Sequence, residues 1–189
     1  MIIEKLKQSF LQQYKLLDAS RLKWLWLAAL ALVLDFVTKQ MAEHFLTFAQ
    51  PVYVLPVFDL TLLYNKGAAF SFLASESGWQ RWFFTVIALT VSAVLTWWLM
   101  TLKASEKWLS AALALVIGGA IGNLYDRLAY GHVVDFIHLH WGNHYFPAFN
   151  IADSAISIGA AMLIIDSLFF QNKTDSKSAS KNKPNSKSE

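Results

Sequence analysis

The sequence predicts an all-α membrane protein, a bundle of four transmembrane helices with a small extracytoplasmic β-sheet between helices 1 and 2. Three observations lead there. The chain is 56% hydrophobic and 15% charged, whereas about a quarter of the residues of a soluble domain carry charge. The apolar residues are gathered into runs: Trp82 to Leu102 is 21 residues without a formal charge, and Trp108 to Tyr125 is another 18. About 20 such residues cross a bilayer as a helix, and a chain this short could hardly bury them on all sides in water. Third, twelve of the sixteen Lys and Arg residues fall in three segments that a four-span topology places on one side.

Taken in order, residues 1–23 form a basic N-terminal extension ahead of the first span, at about 24–42. That span is apolar apart from Asp35, Lys39 and two uncharged polar residues. More than 20 residues precede it and no A-x-A site follows its apolar run, so it is expected to remain as an anchor, not a cleaved leader. An outer segment, about 43–81, follows. Val52 to Leu55 and Val57 to Tyr64 are rich in β-branched and aromatic residues and are punctuated by Pro51 and Pro56, a strand pattern. Asn65-Lys66-Gly67 suits a turn, and 68–73 would return as a partner strand. The sheet is expected on the outer membrane surface, flanked by interfacial Trp79 and Trp82.

Spans at about 82–102 and 108–125 come next, then an outer segment at about 126–147 and a last span at about 148–170. Residues 171–189, rich in Ser, Lys and Asn, read as a disordered tail. The positive-inside rule puts both termini and the loop carrying Lys103 and Lys107 in the cytoplasm. The same rule accounts for the basic tail without a nucleic-acid partner. The chain has no cysteine, which excludes thiol nucleophiles, disulfides and cysteine-ligated metals.

Charges inside spans cost several kcal/mol, so each needs a reason. Asp35 and Lys39 are four apart and share a helix face. Asn123, Asp126 and Arg127 lie at the outer end of the third span, and Asn150, Asp153, Ser154 and Ser157 stripe the outer part of the fourth. Three spans thus bring polar groups to one depth. The Asp35–Lys39 and Asp126–Arg127 pairs can neutralise themselves and serve only to tie helices together. Asp153 has no basic residue within reach on its own helix and needs a proton or a partner. If Ala148 begins the span, Asp153 lies about 8 Å below the surface. The candidate partner is Asp135, in a segment whose alternating Val133, Asp135 and Ile137 suggest extended chain. Two close carboxyls hold one proton between them and so offer an acid and a base together.

All five histidines fall in the outer segments, and His138 and His140 would share a strand face. They read as a wet interfacial rim rather than a zinc site, since no H-E-x-x-H occurs on a helix. Gly118 and Gly122 have the spacing that lets helices approach closely. A proton or ion pathway would spread acidic groups through the membrane; here only Asp166 lies toward the cytoplasmic side.

The motifs Asp35-Phe-Val-Thr-Lys39, Asn65-Lys-Gly-Ala-Ala-Phe-Ser71, Gly118-Gly-Ala-Ile-Gly-Asn-Leu-Tyr-Asp-Arg127, His132-Val-Val-Asp-Phe-Ile137 and Phe149-Asn-Ile-Ala-Asp-Ser154 resemble the lipoprotein signal peptidases (signal peptidase II) of bacteria. The resemblance covers about residues 24–170. It implies a cofactor-independent aspartyl endopeptidase of the inner membrane that cuts prolipoproteins just before a diacylglyceryl-modified cysteine. It puts the catalytic pair at Asp135 and Asp153, with Asn65, Gly67, Asn123, Arg127 and Asn150 as substrate-binding or supporting residues. Asp35, Lys39 and Asp126 look like framework. The implied partners are lipidated precursors and membrane lipids. A monomer would suffice, because one chain supplies both aspartates.

Overall fold

A computed structural model describes residues 17–67 and 78–169 of the chain. The return strand expected at 68–73, the first sixteen residues and the lysine-rich tail lie outside the described residues.

Four helices are long and apolar enough to cross a membrane. A 3₁₀ turn, Ala19–Trp24, is opened by Asp18, whose carboxylate accepts the Ser20 N–H at 2.9 Å. It runs into α1, Leu25–Phe45. Then come α2, Trp79–Thr101, α3, Lys107–Ala129, and α4, Ile151–Phe169. At about 1.5 Å per residue, the 21 residues of α1 reach about 31 Å, the thickness of a bilayer core. Large apolar side chains such as Val33, Val86 and Ile164 are exposed on the outside of the bundle, as lipid-facing residues are. The most apolar window of α3 is 67% buried, against 17–28% in the other three, and α3 packs on α1, α2 and α4. It is the central helix. Its small residues explain how: a Cβ on Gly118 would meet the Ala28 backbone oxygen of α1 at 2.6 Å.

Several boundaries differ from expectation, each for a local reason. Helix α3 continues to Ala129, so Asp126 and Arg127 are helical. Helix α2 begins three residues early, at Trp79, after Gly78 adopts positive φ. Helix α4 begins at Ile151 instead of Ala148. The preceding residues are held extended, because Phe149 exchanges backbone hydrogen bonds with Ile137 at 2.9 and 3.0 Å.

Strands β1, Val52–Leu55, and β2, Phe58–Asn65, come from the chain between α1 and α2, as the sequence predicts. They are joined by β3, Val133–Trp141, and β4, His144–Tyr145, from between α3 and α4. The sheet is antiparallel in the order β1-β2-β3-β4. Leu62, Val134 and Phe136 cluster with Ala42 of α1. This apolar contact seats β2 and β3 on the end of the bundle and fixes the height of Asp135.

Candidate active site

The site is assembled from β2, β3, α1, α3 and α4. In the register, Asn65 opposes Val133 and Leu63 opposes Asp135, which makes Asn65 and Asp135 diagonal neighbours on one face. The Asn65 side-chain amide donates to Asp135 Oδ2 at 3.1 Å. Asn65 is itself held by the Gly67 N–H, which donates to its Oδ1 at 2.8 Å while Gly67 sits at φ +102°. A side chain at that φ would be strained.

On the other side, Asn150 and Asp153 form a reciprocal cap at the start of α4. The Asp153 N–H donates to Asn150 Oδ1 at 2.9 Å and the Asn150 N–H to Asp153 Oδ2 at 3.3 Å. This is the geometry of a capping box, with Asp in place of the usual Glu. Asp153 therefore stands in the first turn of its helix, nearer the rim than the depth of about 8 Å expected from a helix starting at Ala148. The same Asn150 is fully buried, and its amide donates to Asp135 Oδ1 at 2.8 Å. Asn123 of α3 completes the bridge: it accepts from Asn150 at 3.2 Å and donates to Asp153 Oδ1 at 2.7 Å. Asp135 and Asp153 are thus joined through two amides.

The electrostatics follow from burial. Asp135 is 2% exposed. Its carboxyl is pushed up to about 7, first by loss of water and second by the charge on Asp153. The hydrogen bonds from Asn65 and Asn150 and the Lys39 charge pull the other way without prevailing. Near neutral pH this carboxyl can therefore still carry a proton that an ordinary carboxyl has given up.

Asp126 does not pair with Arg127. Adjacent helical residues point about 100° apart, and Asp126 turns inward to Lys39 at 2.9 Å. Lys39 also meets Asp35 at 2.7 Å. Arg127 instead donates to the Asn123 carbonyl at 3.1 Å and lies over the Phe84 ring of α2, 5.1 Å from its centroid. Its charge acts on both Asp135 and Asp153. Phe84 was not foreseen; nothing marks one phenylalanine among fourteen as the platform for an arginine.

His138 and His140 do share a face, each ring packed against Tyr145. His138 shares a hydrogen bond with Thr61 at 3.3 Å, and burial pulls its imidazole down. His140 lies 3.3 Å from Asp59. Among the described residues, no group of three or more His, Asp or Glu is spaced to hold a metal ion.

Fold and site together define a multi-pass membrane protein with an amide-bridged pair of carboxyls at the sheet end of its bundle. Residues 27–169 match the signal peptidase (SPase) II family, and the chain belongs to that family of membrane peptidases. It is 62% identical over 148 residues to a lipoprotein signal peptidase of Pseudomonas putida, covering 77% of this chain and 86% of that one. With a lipoprotein signal peptidase of Pseudoalteromonas translucida it shares 52% identity over 152 residues, covering 80% and 92%. It is also similar to two bacterial membrane enzymes solved by the in meso method at 2.3 and 1.9 Å resolution. Their TM-scores are 0.69 and 0.70 at 28% and 29% identity, with 88% and 79% of this chain and 94% of each of theirs covered.

Proposed function

We propose that the chain is an aspartic endopeptidase that removes signal peptides from diacylglyceryl-modified prolipoproteins, cutting just before the lipidated cysteine. One observation carries the reading: a buried Asp135 held near 7 beside Asp153, both oriented by neutral amides. In this scheme Asp153 takes a proton from water, which attacks the peptide carbonyl carbon. Asp135 gives its proton to the carbonyl oxygen. The tetrahedral intermediate then collapses, its hydroxyl proton returns to Asp135, and the proton on Asp153 goes to the departing cysteine nitrogen. No cofactor enters the scheme.

Asn65 and Asn150 hold Asp135, Asn123 holds Asp153, and Gly67 holds Asn65. Arg127, fixed over Phe84, supplies positive charge that acts on both carboxyls of the pair. The twelve basic residues that flank the spans in the two terminal segments and the loop between α2 and α3 support cytoplasmic termini and a site at the periplasmic face of the inner membrane. The acyl chains of the substrate stay in the bilayer and hold the scissile bond at the height of α4's first turn. A single chain suffices.

The test is cleavage of a lipidated precursor in detergent. Asp135→Asn and Asp153→Asn each abolish it while the protein stays folded, and full cleavage by either variant refutes the assignment.

A further inference from the structure

Lys39 is one of the most buried side chains of the protein, 2% exposed. Its ammonium meets three oxygens: Asp35 Oδ2 at 2.7 Å, Asp126 Oδ2 at 2.9 Å and Asn123 Oδ1 at 3.2 Å. Three N–H groups thus find three acceptors, the full capacity of a lysine. What those partners do next is the informative part. Asp35 Oδ1 accepts the N–H of Ala152 at 2.8 Å, the residue just before Asp153. Asp126 Oδ2 accepts the N–H of Val134 at 3.1 Å, the residue just before Asp135. Asn123 donates to the Asp153 carboxyl itself at 2.7 Å.

An ion pair that only tied α1 to α3 would need Lys39 and one carboxylate of α3. It would not need a second carboxylate reaching α4, nor a backbone bond into a strand. Here both arms end one residue upstream of the two aspartates, and Gly122 makes room for the Asp35 carboxylate, which a Cβ there would meet at 2.7 Å. We infer that Lys39, acting through Asp35, Asn123 and Asp126, is the positioning residue that sets the separation and orientation of Asp135 and Asp153. The inference rests on the catalytic role proposed for that pair. It gives one side chain on α1, which touches neither carboxyl of the pair, control over both.

Lys39→Met alone strands two buried carboxylates without their cation and is expected to unfold. The informative variant is Lys39→Met/Asp126→Asn, which removes a cation and an anion together. The amide oxygen introduced at position 126 can still accept the Val134 N–H. This variant is expected to melt cooperatively in detergent. On a lipidated precursor its kcat falls about 100-fold, the usual consequence of misplacing catalytic groups by about 1 Å, while KM changes less than about threefold. A lysine that only held the helices together would leave kcat and KM of the folded variant near wild type. Wild-type kcat in this folded variant overturns the inference.

Should the double variant melt without cooperativity, Asp126→Asn alone keeps the Lys39–Asp35 pair and gives the second reading. A kcat lowered about 10-fold at unchanged KM supports the clamp, and wild-type kcat overturns it. Asp135→Asn run in parallel separates the two levels. Full activity there removes the catalytic reading itself, whereas an inactive Asp135→Asn beside a wild-type-like Lys39→Met/Asp126→Asn removes only the clamp.

Discussion

Replacing Asp135 by Asn has a consequence for stability that can be worked from the structure. The carboxyl stands near 7 in the folded protein against an ordinary value of 3.8. Between those values the folded chain binds a proton here and the unfolded chain does not, so wild-type stability falls as pH rises through that window. At about 1.4 kcal/mol per unit, the loss between pH 4 and pH 8 comes to about 4 kcal/mol. The variant carries no ionisable group at 135 and is spared this loss. Its amide accepts from only one of Asn65 and Asn150, whose own oxygens are fixed by the Gly67 and Asp153 N–H groups. A neutral carboxyl suffers the same conflict, so the two proteins should be nearly equal at low pH. The assay is thermal unfolding in detergent at pH 4 to 8, followed by the fluorescence of eight tryptophans. At about 2–4 °C per kcal/mol for a chain of this size, Asp135→Asn should gain about 8–16 °C on wild type between the two ends. A melting difference that stays flat across pH would refute the burial argument for Asp135.

Other outcomes follow from the same geometry. Wild-type kcat should fall above about pH 7 as Asp135 gives up its proton, with an alkaline limb that Asp135→Asn cannot reproduce. Asn65→Leu removes a hydrogen bond that favours the ionised Asp135, so its alkaline limb should move to higher pH while kcat drops; an unmoved limb would separate Asn65 from the titration. Gly122→Ala drives a Cβ against Asp35 Oδ2 and should cost about 1–3 kcal/mol in detergent melts. An unlipidated precursor should be cut far more slowly than its lipidated form in bilayers, and equal rates would remove the argument that acyl chains position the bond.

Much of the site was legible because burying charge in a membrane is costly. Asp35, Lys39, Asn123, Asp126, Asn150 and Asp153 stand out in apolar runs, and their common depth shows without coordinates. The partner of Asp126 was less visible. Sequence adjacency suggests Arg127, but helix geometry turns neighbouring residues apart, and only the packing of α1 on α3 brings Lys39 to Asp126. The start of α4 was misplaced because Ala148 and Phe149 are as apolar as a helix needs, while the Phe149 backbone is taken by β3. Backbone donors such as Val134 and Ala152 leave no trace in sequence at all.

The choice of neutral amides around the pair is itself an argument about its chemistry. Asp35, Asp126, Asp135 and Asp153 bring four carboxyls together, and the nearby cations are Lys39 and Arg127. Lys39 lies between the two carboxylates away from the pair. Asn65, Asn123 and Asn150 satisfy oxygens of Asp135 and Asp153 without cancelling their charge. Had a lysine stood at 65 or 150, Asp135 would be ionised well below neutral pH and could act only as a base. With amides there, burial and the charge on Asp153 keep a proton on the pair near neutral pH. In the proposed scheme, an acid and a base joined through neutral amides are what peptide hydrolysis requires.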